Sequence, residues 1–155
     1  MKNLCPVLVG VSVGLLAGCS SLVKQARGVT HVKGEIYLAP AIDPDANSNS
    51  PVAVDVVAIR GSALLKEVSK MTAQAWFQQK SSLTQLHPGD LTTSSWEWVP
   101  GQSISTLKVA GTGVADGVLL FADYVTPGPH SAALPRSGTV AVDFGATDFQ
   151  VLSRP

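Results

Sequence analysis

Cysteine is nearly absent from this chain: 155 residues contain two, Cys5 and Cys19, both close to the start. A disulfide framework is therefore not expected, and the fold must rest on a hydrophobic core. Histidine is equally scarce. His31, His87 and His130 stand far apart with no ligand spacing, so they read as surface or turn residues and not as a zinc site. Charge is sparse and balanced, with 11 basic and 11 acidic side chains. That excludes the basic footprint of a nucleic-acid binder and a polybasic patch for anionic lipid. No apolar run reaches the roughly 20 residues that a bilayer span requires. No glycine-rich phosphate loop occurs, because Gly111-Thr112-Gly113 lacks the lysine and the helix that must follow. Gly101-Gln102-Ser103 lacks the closing glycine of a nucleophile elbow, and Ser103 is expected in a strand. Neither a catalytic set nor a resident cofactor is implied, and the chain is not expected to be an enzyme.

What is present begins at the N-terminus. Lys2 precedes a short apolar run, Val7 to Leu16, and Leu16-Ala17-Gly18-Cys19 follows. A positive start, an apolar stretch and small residues at a cut form an export signal. A cysteine directly after Leu-Ala-Gly makes it a bacterial lipoprotein signal. Residues 1–18 are expected to be removed, and Cys19 to carry diacylglycerol on sulfur and an acyl group on its freed amine. Residues 19–28 then read as a lipidated tether, and 29–155 as one domain. The first expected partner is the bilayer, reached through acylated Cys19; no cofactor beyond that covalent lipid is expected.

Val29 to Leu38 alternates, with Val32, Gly34, Ile36 and Leu38 on one side and His31, Lys33, Glu35 and Tyr37 on the other. Period two predicts a half-buried strand. Ala39 to Pro51 is rich in proline, aspartate and asparagine and predicts a long loop, a class that is often functional. Asp43 and Asp45 alone do not supply the six to eight oxygens that calcium needs. Val52 to Arg60 is apolar on both faces except for Asp55, as in a central strand of a covered sheet; Asp55 is expected at an edge or paired with a base. Ser62 and Thr72 are candidate caps for helices over Ala63–Met71 and Ala73–Lys80. This helical pair is expected at a sheet edge or one end of a sandwich, with Trp76 and Phe77 in the core. Leu91 to Val99 predicts a strand with Trp96 and Trp98 on one face. Pro100-Gly101 fits a type II turn, with Ser103 to Val109 returning as the hairpin partner. Val118 to Val125, Thr139 to Phe144 and the Phe149–Val151 pair complete the strands, and Thr126 to Gly138 reads as a loop. The sum is a mainly β chain: a sandwich of about seven strands with a short helical insertion between strands two and three.

The order of these features resembles the TssJ family, the outer-membrane lipoproteins of type VI secretion systems. The resemblance is carried by the lipoprotein signal and by Asp43-Pro44-Asp45-Ala46 ahead of Ser50-Pro51-Val52-Ala53-Val54. It continues through the insertion Leu64 to Lys80, the turn Pro100-Gly101 and the strand Val118 to Tyr124. The chain departs from the family pattern at Ile42 and at Val56-Val57-Ala58-Ile59, and lacks its late arginine and tryptophan, so a core subunit and a related accessory lipoprotein both fit. The resemblance implies a transthyretin-like β-sandwich and anchorage in the outer membrane, facing the periplasm. Ser20 and Ser21 agree with the second point, since neither is the aspartate that retains lipoproteins in the inner membrane. It also implies an assembly role, with the loop between the first two strands holding the periplasmic domain of an inner-membrane partner of the TssM family. The partner-binding residues so implied are Asp43, Pro44, Asp45, Ala46, Asn47, Ser48, Asn49 and Ser50. The alternative is an envelope lipoprotein that binds a glycan, peptide or small ligand through an aromatic surface at Trp96 and Trp98.

Overall fold

The computed structural model describes residues 34–152. The signal segment 1–18, the tether 19–28 with Cys19, and Val29 to Lys33 of the first expected strand lie outside the described residues. Eight strands follow in chain order with two helices: β1 Ile36–Ile42, β2 Val52–Ile59, α1 Ser62–Val68, α2 Ala73–Leu86, β3 Leu91–Trp98, β4 Leu107–Lys108, β5 Gly117–Asp123, β6 Ser131–Ala133, β7 Gly138–Phe144 and β8 Phe149–Leu152. They form two four-stranded sheets, ordered β4-β1-β7-β8 and β3-β2-β5-β6.

One core lies between the sheets. The side chains of β1 alternate as their sequence requires: Ile36 and Leu38 are fully buried, and Tyr37 between them is exposed. Ile36, Leu38, Val140, Val142 and Phe144 meet Val52, Val54, Val56, Leu120 and Ala122 across the sandwich. A second cluster lies on the other face of the β3-β2-β5-β6 sheet, where Val57, Ile59, Leu119 and Phe121 pack against Leu64, Val68, Trp76 and Leu83 of the helices. Because β2 is covered on both faces, it needs an almost continuous apolar run. The helices thus blanket a sheet face, not the edge or end expected from sequence. Trp76 is fully buried and stacks on Phe121 at 5.1 Å between ring centroids. Thr72 caps α2 by accepting the Ala75 amide at 3.2 Å, whereas Ser62 is the first residue of α1 and Gly61 precedes it as N-cap.

Several expectations from sequence are corrected. β1 runs on through Pro40 to Ile42, so the loop that follows is shorter than Ala39–Pro51. Proline is tolerated there because β4 pairs only with Tyr37 and Leu38. Successive residues of a strand point their backbone groups to alternate sides, which places the Pro40 nitrogen on the side that β4 has already left. The Pro100-Gly101 turn forms, with Gly101 at φ +71° and the Gln102 amide bonded to the Val99 carbonyl at 3.1 Å. It does not make a hairpin. Types I and II splay paired strands against their natural twist; here the chain crosses to the opposite sheet, and only Leu107–Lys108 pairs there, with β1. Ser103 lies in that irregular crossover. All of β3 pairs with β2, from Val52↔Trp98 to Ile59↔Leu91. The segment expected as a loop before Gly138 contains β6, which pairs with β5. The described residues end in the β7–β8 hairpin.

Candidate functional site

The loop after β1 lies at one end of the sandwich and is built into it. Asp43 continues the β1 ladder, its amide bonded to the Phe144 carbonyl at 3.1 Å. Residues Ala46–Asn49 form a short turn in which Asn47, Ser48 and Asn49 have φ of +48°, +54° and +62°. Asparagine is among the few residues that enter this left-handed region with modest strain. The turn is held by its neighbours: the Asn47 amide donates to the Gly145 carbonyl at 3.1 Å and the Ser48 amide to the Ala146 carbonyl at 2.8 Å.

Asn47 is the keystone of this end. It is 1% exposed. Its side-chain oxygen accepts the Val125 amide at 2.7 Å, and its Nδ2 donates to the Pro51 carbonyl at 2.7 Å and the Asp123 carbonyl at 3.4 Å. One side chain thus ties the loop to the end of β5 through three part-buried hydrogen bonds. The turn at Pro100-Gly101 joins the same end through the Gly101 amide, which donates to the Asp43 carbonyl at 3.0 Å.

The expected partner-binding residues therefore divide. Pro44, Asp45, Ser48 and Asn49 are exposed, Asp43 and Ser50 are half-buried, and Ala46 and Asn47 are buried. The exposed tip is offered by a frame that Ala46 and Asn47 help to build.

Charge is distributed unevenly along the sandwich. The loop end carries Asp43, Asp45, Asp123, Asp143 and Asp148, and the segments 43–50, 99–102, 123–130 and 143–148 contain no lysine or arginine. Burial pushes the Tyr124 phenol well above its ordinary range, and the negative fields of Asp148, Asp143 and Asp43 push it further. The opposite end, where β1 begins, is mixed: Lys108, Arg60 and Arg136 stand with Glu35, Asp90 and Asp116. There Lys108 pairs with Glu35, which also accepts the Tyr37 hydroxyl at 2.8 Å. The Lys108 ammonium first, then the Tyr37 hydroxyl, hold the Glu35 carboxyl below the usual carboxylate range.

Trp96 and Trp98 share a face, but it is the inner one. Trp98 is 3% exposed, lies edge-on to Phe144 at 5.2 Å, and stacks on the half-buried Trp96 at 5.8 Å. They are core residues and offer no open aromatic groove. Asp55 is buried in β2 and takes the basic partner expected, Lys80, at 3.0 Å. His130, expected on the surface or in a turn, is buried against Tyr124. Sequence gave little sign of it beyond the crowded Pro127-Gly128-Pro129 before it. Among the described residues, no group of three or more histidine, cysteine, aspartate or glutamate side chains is placed to hold a metal ion. No described helix is long and apolar enough to cross a membrane.

No family model and no curated protein matches the sequence. Solved structures do match by fold. Lip of Serratia marcescens, a membrane-bound component of the type VI secretion system, aligns with 80% of this chain and 100% of its own at TM-score 0.56 and 15% identity. The chain has a TssJ-like fold. The type VI secretion lipoprotein TssJ1 of Pseudomonas aeruginosa aligns over 79% of this chain and 98% of its own, at TM-score 0.57 and 12% identity. A chain of a type VI membrane complex aligns over 77% and 98%, at TM-score 0.58 and 12% identity. The two sheets with added helices are thus the transthyretin-like β-sandwich of TssJ-like lipoproteins.

Proposed function

We propose that this chain is a lipid-anchored periplasmic lipoprotein that serves as an assembly and anchoring subunit of a type VI secretion envelope complex. The observation that carries this reading is the fold likeness to secretion-system lipoproteins along nearly their whole length. The lipoprotein signal ending at Cys19 supports it independently. Ser20 and Ser21 favour the outer membrane. The role is mechanical and not catalytic, in keeping with the secretion components that share the fold.

The geometry suits such a role. β1 begins at Ile36, and the Asp43–Ser50 loop leaves from its last residue, Ile42. Seven strand residues separate the two ends by about 20 Å. In this reading the exposed tip, Pro44, Asp45, Ser48 and Asn49, meets the periplasmic domain of a TssM-family inner-membrane partner, and Asp43, Ala46, Asn47 and Ser50 hold the tip in place. A rigid frame lowers the ordering cost of binding.

The test is fractionation of cells expressing the full chain, with affinity capture of the partner. The wild-type chain should sediment with outer membrane and retain the TssM-type subunit. Cys19→Ser should leave the membrane fraction and lose secretion while still capturing the partner in solution. Full secretion by the unlipidated variant would overturn the anchoring role.

A further inference from the structure

His130 occupies a position that explains itself only through its proton. Its φ is +42°, in the left-handed region that a non-glycine residue rarely occupies. It is 5% exposed, and its ring stacks on Tyr124 at 4.9 Å. Gly128 makes room for the ring, since a Cβ there would lie 2.6 Å from the His130 Cε1.

Both ring nitrogens face acceptors. Nδ1 lies 2.9 Å from Asp148 Oδ1, and Nε2 lies 2.8 Å from the Thr126 carbonyl oxygen. A carbonyl has no proton to give. The Asp148 oxygen also accepts the Phe149 amide at 2.9 Å, as a carboxylate oxygen does. A neutral imidazole has one donor and one acceptor, so in either tautomer it would turn a lone pair toward one of these oxygens. Only the imidazolium donates to both.

Other acidic groups lie near the ring. Tyr124 faces the ring from the end of β5, and Asp123 lies on the same recess of about 310 Å³, to which α2 contributes the uncharged Ala73 and Gln74. Asp43 and Asp143 add negative field at Tyr124. Residues 123–130 and 143–148 contain no lysine or arginine, and Lys80 of α2 is paired with Asp55.

The clasp is wired to the loop tip. Asp148 closes the β7–β8 turn, its carbonyl accepting the Gly145 amide at 3.0 Å. Thr126 Oγ1 donates to the Thr147 carbonyl at 2.7 Å. The next carbonyls of that turn, Gly145 and Ala146, are those that hold the Asn47 and Ser48 amides. We propose that His130 is a proton-dependent positioning residue: as the imidazolium it fixes the 145–148 turn, and through that turn the partner-facing tip. Loss of its second proton breaks one of the two bonds and loosens the tip. Partner capture is then strongest while the ring is an imidazolium and weakens when that proton is lost. The capture arm of this proposal rests on the partner assignment made above.

The test uses the mature lipidated chain in detergent. Nitrogen-15 spectra of the His130 ring should find both nitrogens protonated at low pH, and the Asn47 and Ser48 amide signals should follow the ring's titration curve. Affinity for the TssM-type periplasmic domain should fall roughly tenfold across the interval in which the ring spectra show loss of its second proton. In His130→Asn, which keeps a neutral donor toward Asp148, the pH slope should vanish while the domain stays folded. Loop amides that ignore the ring titration, or a pH slope that survives His130→Asn, would overturn the clasp. No partner binding at any pH, with loop amides still tracking the ring, would count against the partner assignment and support the clasp.

Discussion

The carboxylate of Asp55, buried in the middle of β2, lies 3.0 Å from the ammonium of Lys80 on α2. The same oxygen accepts the Trp76 indole N–H at 2.8 Å. These contacts fix the register of α2 on the sheet, because Trp76 and Lys80 are one helical turn apart and meet one acceptor. Lys80 keeps part of its side chain in solvent and lies 4.7 Å from the Phe77 ring centre. Removing only the cation leaves a carboxylate that is 1% exposed with one neutral donor. Lys80→Met should therefore cost about 2 kcal/mol, below the roughly 3–5 kcal/mol of a fully buried pair because the ammonium is partly solvated. Adding Asp55→Asn should restore most of that, since the amide still accepts from Trp76 and carries no charge. Urea denaturation of the two variants checks this, and a double variant no more stable than Lys80→Met would contradict it.

Asn47 predicts a different kind of loss. Asn47→Ala removes three part-buried hydrogen bonds, the one from the Val125 amide among them, and places a less tolerant residue at φ +48°. The expected cost is about 2–3 kcal/mol in chemical denaturation. Hydrogen exchange should rise first at Ala46–Ser50 and Val125. Deletion of the whole 43–50 segment would remove this joint, so it reports on folding and not on partner contact.

Tyr124 offers a test with a pH sign. Its hydroxyl is buried and has no hydrogen-bond partner among the described residues. Tyr124→Phe should then be neutral or stabilising by about 1 kcal/mol near neutral pH. The folded-state phenol is held above its ordinary value of 10.0, chiefly by burial. Stability from this group is therefore complete below that value and declines as pH rises past it, because the unfolded chain gives up the proton more readily. Alkaline unfolding should shift to higher pH in Tyr124→Phe.

Much of the sandwich was legible where one rule dominates. Alternation at Ile36, Tyr37 and Leu38 gave the half-buried strand, and the unbroken apolar run of β2 signalled cover on both faces. Thr72 as a cap and Gly101 at positive φ followed from local chemistry. Strand partners did not follow. The parallel pairing of β1 with β7, from Ile36↔Gly138 to Ile42↔Phe144, joins residues about a hundred positions apart and leaves no local trace. The Pro100-Gly101 turn fixes a change of direction without fixing the sheet that the chain enters next. The site was half legible. Composition marked 43–50 as a loop, but polar side chains read as solvated, and nothing local separates the buried Asn47 from the exposed Asn49. His130 escaped for the same reason: its two acceptors come from its own loop and from a turn at Asp148.

The most direct measurement is the affinity of the mature chain for the TssM-type periplasmic domain, with one substitution at each end of the sandwich. Asp45 is exposed at the loop tip, and Leu86, at the last position of α2, is 72% exposed near the end where β1 begins. Asp45→Arg should weaken binding at least tenfold, about 1.4 kcal/mol, with the melting temperature unchanged, and Leu86→Arg should bind as the wild type does. Wild-type affinity in Asp45→Arg together with loss of binding in Leu86→Arg would place the contact at the wrong end of the molecule and contradict the account.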